Sequence, residues 1–94
     1  MVIKITAMEN VNQVFEAVEV IAYFKNLKLE ILRFKWNNGV YRVSEMLQSW
    51  KIPVREGFVM HYIVTCKEKD LLCELSFSNL DMKWELVRYD ELSS

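Results

Sequence analysis

The sequence predicts an all-β fold: a small single-domain antiparallel meander, barrel-like or strongly bent. Two observations predict it. Phe34-Lys35-Trp36-Asn37-Asn38-Gly39-Val40-Tyr41-Arg42-Val43 runs one β-prone segment into Asn-Asn-Gly and a second one out of it. Asn and Gly accept the positive φ that a tight strand reversal needs. From Phe58 onward, apolar residues recur at every second position, the period of a pleated surface with one buried face.

The elements follow in chain order. Val2–Thr6 is short and β-prone, an edge strand or a flexible start. Residues 10–24 admit two readings. As a helix, Asn10 caps, Gln13 takes the capping-box position, and Val11, Val14, Phe15 and Val18 form a stripe. This gives an α+β alternative with one N-terminal helix. As a strand, Val18, Val20 and Ile21 are β-branched and Lys25-Asn26-Leu27-Lys28 reverses the chain. Leu27–Trp36 is a clearer strand. Its apolar parity switches between Ile31 and Leu32, so either a β-bulge there turns both apolar sets toward one core or both faces of the strand are partly covered. Ser44–Lys51 continues as strand or makes a short helical stretch. Ile52–Gly57 reads as a loop, because Pro53 lacks a donor and Gly57 punctuates.

The last forty residues read as three strands, Phe58–Cys66, Leu71–Phe77 and Met82–Val87. Lys67–Asp70 and Ser78–Asp81 join them as turns. Residues 90–94 are a polar tail. Five to seven strands are expected in all.

Composition sets limits on function. The chain has 94 residues, the size of one domain, and 52% of them are hydrophobic, enough for a core without disulfides or metal. The formal net charge is −1 with both signs mixed, so the basic excess of a general nucleic-acid binder is missing. Cys66 and Cys73 form no CxxC pair, and one histidine completes no zinc spacing with them. They read as buried thiols or cross-strand neighbours. No run approaches a membrane span, and the first residues lack a signal-peptide layout. A cytoplasmic protein without cofactor or metal is expected.

Phe34-x-Trp36-x-x-Gly39-x-Tyr41-x-Val43, then Trp50, Tyr62-x-Val64, Glu74-Leu75 and Trp84-x-Leu86-x-x-x-Asp90 resemble a small bacterial domain of uncharacterised function. The pattern is also similar to a C-terminal segment of some proteins related to Y-family DNA polymerases. It covers residues 15–90. The resemblance implies an all-β fold, favours strand over Phe15–Phe24, and supplies no catalytic residues.

Trp36, Tyr41, Trp50, Tyr62 and Trp84 are either packing residues or a stacking platform for single-stranded nucleic acid, with Lys35, Arg42, Lys51 and Arg88 tracking phosphates. His61 has no phased nucleophile and reads as a surface or edge residue, with Glu74 or Glu85 as a conceivable partner. Glu16 and Glu19 are expected to meet Lys28 and Arg33 across a hairpin. Val11, Val14, Leu27, Leu47 and Ile52 exceed what one small core holds, which points to a partner surface or a homodimer. The expected function is a non-catalytic protein-interaction module using a sheet edge or an aromatic face. Trp36, Tyr41, Arg42, Trp50 and His61 are its candidate binding residues. A nucleic-acid-binding accessory linked to DNA repair is the second expectation. A small-ligand binder or an enzyme without a recognisable motif is the third.

Overall fold

Eight strands make up about three quarters of the described chain, residues 12–93 of a computed structural model. They are β1 (Asn12–Ala17), β2 (Glu19–Lys25), β3 (Lys28–Trp36), β4 (Gly39–Arg42), β5 (Glu45–Val54), β6 (Gly57–Cys66), β7 (Leu71–Ser78) and β8 (Lys83–Glu91). Lys67–Lys69 form one 3-10 turn. Val2–Thr6, Asn10, Val11 and Ser94 lie outside the described residues. No helix among the described residues is long and apolar enough to cross a membrane.

The strands form two antiparallel sheets. One has five strands in the order β1-β8-β7-β6-β5, the other three in the order β2-β3-β4. They do not close into one cylinder. The chain crosses from sheet to sheet at two corners. At Val18 the backbone N–H still donates to Trp84 of β8, and the next residue already pairs with β3. At Val43–Ser44, successive N–H groups donate to Leu32 of β3 and Thr65 of β6. These corners split two long runs and raise the strand count above the five to seven expected.

Asn12–Ala17 and Glu19–Lys25 are strands, so the helical alternative for residues 10–24 is corrected. Val20 and Ala22 point into the core while Ile21 and Tyr23 point out, a period of two that a helix cannot supply. Ser44–Lys51 resolves as strand as well. The stretch expected as a loop is also strand on both sides: Ile52, Pro53 and Val54 pair with Val59, Phe58 and Gly57. Pro53 is tolerated because β5 is a sheet edge, where a missing N–H breaks no second ladder. β8 runs on through Asp90 and Glu91, where a polar tail was expected.

The bulge in β3 forms where the parity switch predicts it. Ile21 pairs with Arg33 and Ala22 with Ile31, which leaves Leu32 as the extra residue. Leu29, Ile31, Phe34 and Trp36 thereby all turn inward, and Leu32 turns out. The hairpin turn departs from the sequence expectation in one respect. Asn37 and Asn38 take the positive φ values, 50° and 64°, whereas Gly39 opens β4 opposite Trp36. Asn38-Gly39 is therefore not the central pair of the turn.

The core lies between the sheets. Ile31 and Phe34 come from the small sheet; Tyr62, Val64, Cys66, Cys73, Leu75 and Leu86 come from the large one. Burying each such side chain contributes roughly 1.5–3 kcal/mol. Both cysteines are free thiols in this core. Hydrogen bonding to Cys66, and then burial, pushes the Cys73 thiol far above its ordinary range. A second, smaller apolar cluster forms on the outer face of the large sheet, where Trp50 and Leu92 pack on Ile63 and Leu72.

Candidate interaction site

The five residues singled out from sequence divide between three places. Trp36 is half-buried between Tyr41 and Tyr89, with ring centroids 5.8 and 5.5 Å away, and its indole N–H donates to Glu16 Oε1 at 2.8 Å. Tyr41 stacks on buried Phe34 at 5.1 Å. Both belong to the space between the sheets. Arg42 points outward from β4, its Nε 3.8 Å from Glu68 Oε1. Trp50 lies flat on His61 at 5.2 Å, on the outer face of the large sheet. Tyr62 and Trp84 meet in the core, where Phe77 completes the group. The aromatic residues thus share no single exposed platform. The expected partners of Glu16 and Glu19 also change: Glu16 receives the Trp36 indole, and Glu19 stands opposite Lys35.

His61, Glu74 and Arg88 come from three adjacent strands, and the antiparallel register brings them together. His61 Nδ1 lies 2.8 Å from Glu74 Oε2, and Arg88 Nε donates to Glu74 Oε1 at 2.7 Å. Burial alone would raise the Glu74 pKa. Hydrogen bonds from His61 and Arg88 outweigh it and hold the carboxyl below its ordinary range. Ser76 stands opposite His61 in register, yet among the described residues no hydrogen bond joins the two. Trp50 covers the imidazole, and the group ties β6, β7 and β8 together through the Glu74 carboxylate. The sequence left Glu74 and Glu85 open as partners for His61, and the contact is with Glu74. Arg88, expected from sequence only as a phosphate contact, instead binds Glu74, where a meander register drawn with the β8 bulge at Val87 places it.

The open edges are the other feature. β5 ends the five-stranded order, and Leu47, Ile52 and Val54 are exposed along it. Across from it, β4 covers only Arg33–Trp36 of β3 and Val43 bonds the Leu32 carbonyl, leaving the flank of Lys28–Ile31 without a strand on that side. The two free edges face each other over a cleft of about 380 Å³ lined by Lys28, Leu29, Glu30, Met46, Ser49, Met60 and Tyr62. On this flank of β3 the Ile31 N–H donates to the thioether of Met46, one of the cleft residues, at 3.4 Å. Sulfur is a weak acceptor standing where a neighbouring strand would present a carbonyl. The Ile52–Gly57 loop assignment hid this edge from the sequence. The exposure of Leu27, Leu47 and Ile52 was legible as surplus apolar supply, while Val14 packs against the core.

No family model, curated protein or solved structure matches the chain. What fold and site define together is a two-sheet antiparallel β domain with a facing pair of open strand edges.

Proposed function

We propose that this protein is a non-catalytic interaction module that receives an extended segment of a partner protein along β5. The facing edges of β3 and β5 carry the proposal. An incoming strand would take up main-chain hydrogen bonds along Leu47–Val54 and place alternate side chains over Met46, Met60 and Tyr62. Methionine suits such a cleft because its flexible thioether adapts to different occupants. Each new backbone hydrogen bond contributes about 0.5–1.5 kcal/mol net, so an edge of this length supports specific binding. A second copy pairing β5 with β5 is the symmetric form of the same contact.

Peptides selected against the full chain from a random display library test this. Selected binders should shift the backbone amide resonances of β5 and of Lys28–Ile31, and should lose affinity on Ile52→Lys. Shifts confined to other strands would refute it. Light scattering separates the two occupants: a dimer that Ile52→Lys dissociates assigns the edge to a second copy, and a monomer assigns it to another protein.

The nucleic-acid reading keeps one observation in its favour, a set of cations on the outer face of the small sheet. The aromatic residues it needs for stacking lie elsewhere.

A further inference from the structure

The outer face of β2-β3-β4 has a charge balance opposite to that of the whole chain. Lys25, Lys28, Arg33, Lys35 and Arg42 project from it, against the carboxylates Glu19 and Glu30. The overall formal charge is −1. The arrangement is costly in isolation. Arg33 and Arg42 stand directly opposite each other across β3 and β4, and Lys25 and Lys28 do so across β2 and β3. Like charges in directly opposite positions destabilise a sheet. Among the described residues, no carboxylate reaches Arg33 within ion-pair distance. Arg42 has, among the described residues, only the long, exposed contact to Glu68, while Glu19 stands opposite Lys35 and Glu30 accepts from the Tyr23 hydroxyl at 3.4 Å.

Between the cations lie exposed aliphatic side chains. Ile21 and Val40 are 48% and 47% exposed, and Leu32 projects beside them. A shallow depression lined by Glu19, Ile21, Arg33, Phe34, Lys35 and Val40 sits at the centre. We infer that this face docks an acidic polypeptide segment whose carboxylates are interspersed with aliphatic side chains. The carboxylates pair with Arg33, Lys35 and Arg42 and relieve the repulsion between the two arginines; the aliphatic residues cover Ile21 and Val40. Nucleic acid fits less well, because the only aromatic side chain among these outward positions is Tyr23, at one end, and bases need stacking partners. The docking residues Arg33, Lys35 and Arg42 do not line the β3–β5 cleft, so either site can stand without the other.

A short labelled peptide of alternating glutamate and leucine, titrated against the full chain at low and physiological salt, tests the inference. An oligothymidylate of equal charge serves as competitor, and Arg33→Glu and Lys83→Glu make the same change in net charge on different sheets. The expected result is saturable, salt-sensitive peptide binding that weakens about tenfold or more on Arg33→Glu and changes less than about twofold on Lys83→Glu. Arg33→Glu should raise the melting temperature, since it converts a like-charge pair into an opposite one. A variant that binds less while melting higher separates a lost docking contact from lost folding. Absence of binding at low salt, equal weakening by both variants, or displacement by oligothymidylate at equal concentration would each overturn it.

Discussion

Removing the Glu74 carboxylate should cost this domain a large fraction of its stability. The Glu74 side chain is 4% exposed, and its two oxygens are the hydrogen-bond partners of His61 and Arg88, whose side chains are 16% and 22% exposed. Glu74→Ala leaves both donors partly buried and unmatched. Breaking a fully buried pair costs about 3–5 kcal/mol, and residual water at Arg88 and His61 moves the expectation to about 2–4 kcal/mol. A domain of this size has roughly 5–14 kcal/mol in total. Glu74→Gln should cost less, about 1–2 kcal/mol. Its amide oxygen still accepts from Arg88, and its NH2 can donate to His61 in the other tautomer. Glu74→Leu combined with Arg88→Leu should recover most of the loss, because no charge is left stranded. Urea unfolding reads all of these as midpoint shifts at constant slope. A Glu74→Ala loss below about 1 kcal/mol, or a double variant no better than the worse single, would refute the buried-tie account.

Three other predictions follow from the same structure. Because the Glu74 carboxyl is held below its ordinary value, its contribution is complete above the unfolded pKa of about 4.3 and is lost as pH falls through the lower folded value; Glu74→Gln should flatten that acid limb in a pH series of urea midpoints. Leu27 takes φ of 66° and is wholly exposed in the β2–β3 turn; Leu27→Gly should stabilise by about 1 kcal/mol in thermal unfolding, since it removes left-handed strain and sacrifices no burial. Gly57 has ordinary φ but no room, because a Cβ there would lie 2.5 Å from Asn79 Oδ1, the acceptor of the Phe58 N–H. Gly57→Ala should therefore lower the urea midpoint by about 1–3 kcal/mol worth of stability, and Gly57→Ala in an Asn79→Ser background should lose less.

The fold class was legible because period-two alternation is dense after Trp36, and one parity fault, at Ile31 and Leu32, marked a bulge that turns both sets inward. Residues 12–25 were ambiguous because Val14, Val18 and Ile21 fit a helical stripe as well as a strand. What decides them is pairing with β8 and β3, which are distant in sequence. Corners at Val18 and Val43–Ser44 carry no Gly or Pro to announce them. Pro53 misled in the other direction, since a proline signals a break only where both flanks of a strand are paired. Among site residues, a meander narrowed the partner of His61 to Glu74 or Glu85, and Glu74 makes the contact from a diagonal position, whereas Arg88 depends on a bulge that local sequence does not show. Trp50 and Trp36 look equivalent by residue type; only the crossing between sheets places one outside and the other within.

Amide hydrogen exchange along β5, with and without a display-selected peptide, bears most directly on the proposed interaction. In the free protein, the amides of Leu47–Val54 that point away from β6 should exchange by local opening, far faster than those of β6 and β7. Bound peptide should slow those edge amides and the Ile31 amide together. Slow exchange of the edge in the free chain, or a bound peptide that leaves it unprotected, would contradict strand addition at β5.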